Sequence, residues 1–176
     1  MIRRDTLSKY TLFLVIGICL FLTSCGSSKN VVYNPAEVRD LSAELGFPIS
    51  NTDKNIPLYA EISVWLGVPY KYAGTNRRGI DCSGFVHRIY KDLYKKNVSR
   101  STSGLEKDTK KVSKGKLEPG DLVFFATSSN KKKISHVGIF LKDGYFVHAS
   151  TSKGVIINHL DQDYYRRTWK KGGRLN

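Results

Sequence analysis

The stretch "GIDCSGFVHRIY", residues 79–90, sets one cysteine between an acid and a Ser-Gly pair at the head of an apolar run. Phe85, Ile89 and Leu93 recur at i, i+4 and i+8, with Val86 and Tyr90 beside them. That spacing predicts a helix with one stripe facing a core. Asp81 is a natural N-cap, and Cys82 then falls at the first helical position. A thiol placed there lies at the positive end of the helix macrodipole, among unsatisfied N–H groups. The expectation is a pKa lowered from about 8.5 into the range of roughly 3.5–7.5. Asp81 opposes that shift with its own negative charge, so an imidazole partner matters more here. A lone cysteine beside a helix is also ordinary core material, and the rest of the chain has to decide between the two readings.

Upstream, "NPAEVRDLSAELG", residues 34–46, carries Asn as N-cap, Pro at the first helical position, Glu at the third and Gly at the end. "PLYAEISVWLG", 57–67, reads as a second helix with Leu58, Ile62, Trp65 and Leu66 on one face. A Lys-, Ser- and Thr-rich stretch, 97–116, follows the Cys82 helix. Beyond it the character changes. "EPGDLVFFA", "HVGIFL", "YFVHAS" and "GVIINHL" are short β-rich runs separated by turn signals, which predicts an antiparallel meander. Helices first and strands second in 176 residues imply one α+β domain with the helices on one side of the sheet.

Two of the four histidines lie in the meander, His136 and His148, joined through "KDG" at 142–144. A two-residue Asp-Gly turn pairs Lys142 with Tyr145 and sends the imidazoles to opposite faces. A three-residue turn pairs Leu141 with Tyr145, sets Gly138 opposite His148 and brings both imidazoles to one face. The three-residue turn is the expectation, with Gly138 clearing space for the Cys82 helix. A cysteine at a helix start, one histidine in reach and a second polar group orienting it follow the logic of acyl transfer. His136 would be the base and His148 its orienting partner. A zinc site from Cys82, His136 and His148 is the competing reading, but the close-spaced ligand pairs of structural zinc are missing; no metal and no cofactor is expected. His87 and His159 read as edge residues, and Trp65 and Trp169 as core or rim.

The N-terminus has its own pattern. Arg3, Arg4 and Lys9 precede "LFLVIGICLFL", 12–22, which fits the apolar region of a secretory signal and is short for a spanning helix. "LTSCG", 22–26, resembles the lipobox of bacterial lipoproteins, in which the cysteine is acylated. Cys25 would then carry lipid worth about 0.8 kcal/mol per buried methylene, anchoring the chain to a membrane. Cys19 would leave with the signal, and Cys82 would remain without a disulfide partner, as a reactive thiol does in an exported protein. The net charge of +14 would suggest nucleic acid in a cytoplasmic protein. Export argues against that partner and leaves polyanions of the envelope (acidic lipid headgroups, anionic glycans, carboxylate-bearing wall peptides) or a merely solubilising surface.

The blocks "DCSGF", "SHVGIF" and "FVHAS", with "PYKYAG" upstream and "PGDLVFF" between, resemble the NlpC/P60 cysteine peptidases over residues 57 to 170. The resemblance implies a papain-like α+β fold, with Cys82 as nucleophile, His136 as base and His148 as third polar residue. It implies that Tyr70 lies near the thiol and helps the oxyanion site. Asp81 and Ser83 fall at positions that in some members bind the substrate's amino group or shape its pocket, although Asp81 serves equally well as a helix cap. The implied substrates are peptidoglycan stem peptides, cut at the cross-link or after D-isoglutamate; a D,D-endopeptidase is favoured. The organisation expected is a lipoprotein signal peptide at 1–24, a lipidated tether at 25–33, a helical extension at 34–56 and the catalytic domain at 57–176. The expected protein is a monomer held by lipid, in the outer membrane facing the periplasm. The alternatives are a non-catalytic wall-binding lipoprotein, or an amidase or acyltransferase on the same fold.

Overall fold

The computed structural model describes residues 33–175. The signal-like run, Cys19, Cys25 and nearly all of the tether fall outside the described residues. Helix α1 (Pro35–Leu45) starts and stops where its signals stand. The Asn34 carboxamide accepts from the Ala36 N–H, and Gly46 closes the helix in the left-handed conformation at φ 77°. Helix α2 (Ile56–Ser63) is shorter than its pattern. Its apolar face runs on through Trp65, but the Gly67 N–H bonds to Val155 O and the Val155 N–H to Val68 O. Those tertiary bonds draw the backbone out of the helix after Ser63. Trp65 is buried all the same, its indole N–H donating to Glu61.

A short hairpin of β1 (Thr75–Asn76) and β2 (Gly79–Ile80) leads into α3 (Cys82–Tyr94), the helix read from the opening stretch. Helix α4 (Thr102–Lys107) and strand β3 (Thr109–Val112) arise within the Lys-rich stretch. Strands β4 (Leu122–Phe125), β5 (His136–Lys142), β6 (Tyr145–Ser150) and β7 (Gly154–His159) form the expected antiparallel meander. Helix α5 (Asp163–Thr168) and β8 (Trp169–Leu175) complete the chain.

The six-stranded sheet has the order β3-β8-β4-β5-β6-β7, so the C-terminal strand lies between β3 and β4 rather than following on from the meander. Neither β3 nor β8 carries an apolar alternation. Lys110 pairs with Arg174 and Lys111 with Gly173, while Val123 faces Gly172. At Gly173 a β-carbon would come within 2.9 Å of the Phe124 ring, so the strand owes its place to smallness and backbone pairing.

One face of the sheet, with Leu122, Phe124, Val137, Ile139, Val147 and Val155, receives Phe85, Val86 and Ile89 of α3. Burying each such large side chain contributes roughly 1.5–3 kcal/mol. Val38 and Leu45 of α1 and Phe47 beyond it join the same core, Phe47 stacking on Tyr145. Segment 34–56 thus packs as part of one unit with the rest of the described chain. The helices read from the sequence share that side, and α5, which the sequence did not announce, lies on the other. Residues Val123, Phe125, Phe140 and Phe146 make a second core on the opposite face, and Tyr165 of α5 covers it.

Candidate active site

Asp81 caps α3, one carboxylate oxygen accepting from the Gly84 N–H at 2.7 Å, and Cys82 opens the helix at its first position. The bare backbone at Gly84 leaves room for Arg100, whose guanidinium stands less than 3 Å from where a β-carbon would be. Arg100 donates to both oxygens of Asp81 at 2.7 and 2.8 Å, to Gly74 O and to Ser83 Oγ. Burial pushes the Asp81 carboxyl up, but the hydrogen bonds from Arg100, Gly84 and Ser83 outweigh it and hold Asp81 below the usual carboxylate range. Arg100 and Thr102 were not legible as site residues, because nothing in "SRST" marks them out from the polar stretch around them.

The thiol itself is buried. Sγ lies by the N–H groups of Val137 and Ser83 and 3.8 Å from the Thr102 hydroxyl. The sequence reading expected a lowered pKa; the structure reverses the direction. Burial pushes the Cys82 thiol up, with Asp81 adding to the effect, and the Thr102, Val137 and Ser83 donors only partly offset it. The helix terminus sits in a dry pocket, and desolvation of the anion outweighs it. Tyr70 is held by a bridge to Ile80, and its hydroxyl pKa is raised by burial and by the nearby Cys82 and Asp81 charges.

The histidines come together by a route the sequence did not disclose. The turn is the two-residue one: Asp143 (φ 48°) and Gly144 (φ 86°) are both left-handed, and Lys142 pairs with Tyr145. A bulge at Leu141 then shifts the register by one, so that Phe140 faces Phe146 and Ile139 faces Val147. The imidazoles therefore share a face even though the turn expectation was wrong. The role expected of Gly138 is also corrected. A β-carbon there would meet Val147 O at 2.7 Å, the Phe146 ring at 2.9 Å and His148 Cβ at 3.2 Å. The glycine makes room for the histidine face rather than for helix α3, which packs on the other side.

His136 Nε2 lies 2.8 Å from His148 Nδ1, with the two rings perpendicular. Phe146 stacks on His148, and Phe125 flanks His136. In this aromatic setting burial pushes His136 down to about 3, with the His148 charge adding to it, and His148 down to about 4 against the hydrogen bond that Asn158 Oδ1 accepts from it. Both rings are neutral at pH 7. His148 Nε2 meets Asn158 Oδ1 at 3.0 Å and the Tyr165 hydroxyl at 3.0 Å. Cys82 Sγ lies by the N–H of the residue that follows His136. Among the described residues it makes no hydrogen bond to either imidazole. Michaelis-complex contacts are often long in unliganded sites.

A cleft of about 360 Å³ opens on the two histidines, walled by Thr127, Ser150, Ser152, Lys153 and Tyr164. Among the described residues no cluster of His, Cys, Asp or Glu is arranged to hold a metal ion. His87 bonds Val98 O, and His159 bonds Asp143 O and the Asp161 N–H, the edge roles read for them.

The profile of the NlpC/P60 family matches residues 67–174. The murein DD-endopeptidase MepS/murein LD-carboxypeptidase of Escherichia coli K12 is 30% identical over 99% of this chain and 98% of its own. A probable endopeptidase of Haemophilus influenzae is 34% identical over 94% of this chain and 98% of its own. A solved NlpC/P60 family protein from Bacillus cereus superposes with a TM-score of 0.63 at 32% identity, over 69% of this chain and 40% of that one.

Proposed function

The chain belongs to the NlpC/P60 family of cysteine peptidases, and on that premise we propose that it hydrolyses peptide bonds of peptidoglycan stem peptides, cross-links above all. The observation carrying the proposal is the meeting of Cys82, at the start of α3, with the hydrogen-bonded pair His136 and His148 at the start of β5 and in β6. The geometry supports a Cys-His-His reaction by ordinary steps. His136 takes the thiol proton as Sγ attacks the carbonyl carbon. This matches the neutral resting pair, since the thiolate forms only as substrate is engaged. The oxyanion is received by the Cys82 N–H and the Tyr70 hydroxyl. His136 passes its proton to the leaving amine, and a thioester remains. Water then attacks the thioester, His136 takes its proton, and the carboxylate and thiol are released.

Asp81 and Ser83 have a narrower role than amine recognition. Their oxygens are engaged by Arg100, so a substrate amine would compete with a guanidinium for them. They wall the thiol pocket. A D,D-endopeptidase is favoured over a cut after D-isoglutamate because the E. coli relative that matches end to end bears that name. The same reading places lipid on Cys25, an anchor in the outer membrane and the catalytic unit in the periplasm as a monomer, in keeping with the lipobox-like "LTSCG".

The test incubates the domain from residue 27 onward, and its Cys82→Ala variant, with purified muropeptides and reads the products by mass spectrometry. Loss of cross-linked dimers with the wild type alone is expected. Loss of a single terminal residue would mark a carboxypeptidase instead. Untouched muropeptides from a folded wild type would overturn the peptidase reading in favour of a wall-binding protein.

A further inference from the structure

A histidine can act as base only through a nitrogen that lacks a proton, and in the neutral pair of this site two proton arrangements compete. If His136 donates from Nε2 to His148 Nδ1, the lone pair of His136 is left on Nδ1, the nitrogen free for the thiol. If His148 donates from Nδ1, His136 carries its proton on Nδ1 and cannot take another there. The choice is made at the far nitrogen, His148 Nε2.

Two side chains converge on that nitrogen, Asn158 of β7 and Tyr165 of α5, and Gln162 holds the first of them. The Asn158 Nδ2 donates to Gln162 Oε1 at 2.8 Å, which turns Oδ1 inward, 3.0 Å from His148 Nε2. The Tyr165 hydroxyl donates to the same Oδ1 at 3.1 Å and lies 3.0 Å from Nε2. An oxygen that only accepts demands a proton on Nε2. His148 Nδ1 is then bare and must accept from His136 Nε2–H at 2.8 Å. Every donor in the chain Gln162, Asn158, His148, His136 is satisfied in one direction.

We propose that Asn158, clasped by Tyr165, is a positioning residue that sets the tautomers of both histidines and keeps the lone pair of His136 on Nδ1. The proposal rests on Cys82 and His136 being the reacting pair. It also assigns Tyr165 a conditional role. While Asn158 is present, the hydroxyl donates to Oδ1. Without Asn158 it donates to His148 Nε2, which reverses both tautomers and blocks the base.

The first readout needs no substrate. Nitrogen shifts of ¹⁵N-histidine-labelled wild type at pH 7 are expected to show Nε2–H on both His136 and His148. Nδ1–H on His148 would overturn the proposal. The second uses turnover of cross-linked muropeptides. Asn158→Leu is expected to lose kcat on the order of 100-fold at unchanged KM, short of the roughly 10⁴-fold that a wrong tautomer costs in a serine triad. Asn158→Asp still accepts from Nε2–H and is expected to stay within about tenfold of wild type. Its carboxylate favours a charged imidazole, so its acid limb moves to higher pH; the other titratable groups bonded to His148 are His136 and Tyr165. Adding Tyr165→Phe to Asn158→Leu is expected to restore part of the lost kcat, which a merely structural role would not do. Unaltered kcat in a folded Asn158→Leu, or no recovery in the double variant, overturns the inference while the active wild type keeps the peptidase reading intact. An inactive wild type sinks that reading, and the nitrogen shifts still decide the tautomers.

Discussion

The two halves of this site are built in opposite ways. The thiol half is polar and locally encoded: Asp81, Cys82 and Ser83 are consecutive, and the carboxylate caps the helix that the thiol begins. The histidine half is dry and assembled from β5, β6, β7 and α5, with aromatic rings around two imidazoles that bond each other. In the first half, charge is tolerated because a guanidinium answers it. In the second, charge is refused, and both histidines are held neutral. In the reaction proposed above, the proton crosses from the half that hides a thiol to the half that hides a base. Burial on both sides would delay that crossing until substrate arrives.

The sharpest way to break this arrangement is at neither half but in the hairpin that aligns them. Deleting Leu141 alone removes the bulge but keeps Phe140 opposite Phe146; deleting Ile139 as well leaves no spare residue, so that Gly138 faces Val147 and the imidazoles point to opposite faces. Muropeptide turnover is expected to persist in the single deletion and to vanish in the double one. Turnover by the double deletion would mean that the hairpin does not set the pairing.

Next in size is the loss of the counter-charge. Arg100→Met leaves Asp81, buried to 7% exposure, with its cap hydrogen bond but no cation. The expected cost is about 2–3 kcal/mol in urea unfolding, with little change in the two histidines. A variant as stable as wild type would mean that the Gly84 N–H and Ser83 hydroxyl suffice.

The smallest effect is a slope. His136 and His148 fold with pKa values of about 3 and about 4, below the 6.5 of an unfolded histidine. Unfolding therefore takes up protons below pH 6.5. Stability should be full above that value, fall as the pH drops toward about 4, and level off below about 3 as the folded rings protonate. His148→Gln is expected to lose about one proton from that uptake between pH 6 and 4.5, leaving the His136 contribution and that of Asp81, which acts only at lower pH. An unchanged slope would mean that the rings are not held neutral.

The locally encoded half was largely legible, and so were the caps at Asn34 and Gly46 and the four meander strands. Each rests on residues adjacent in sequence. The expectation failed where distant parts of the chain compete. Helix α2 ends early because Val155 takes its backbone, and the thiol pKa rises because the folded core dries the helix terminus. Strands β3 and β8 show no apolar period; β8 takes its place by backbone pairing with both β3 and β4, which no local pattern announces. Tyr165 and Asn158 were passed over because neither lies near a motif; the return of α5 over the second sheet face brings Tyr165 to His148, and the pairing of β6 with β7 brings Asn158.

What the amino-acid sequence determined by itself was chemical identity: one thiol at a helix start, two histidines in neighbouring strands, and the family they belong to. Side-chain type and local backbone preference are properties of single residues and short windows. Register, protonation and the partners of each nitrogen were decided only by the tertiary structure. They depend on a bulge that moves every side chain of a strand to its other face, and on how completely packing excludes water from a charge.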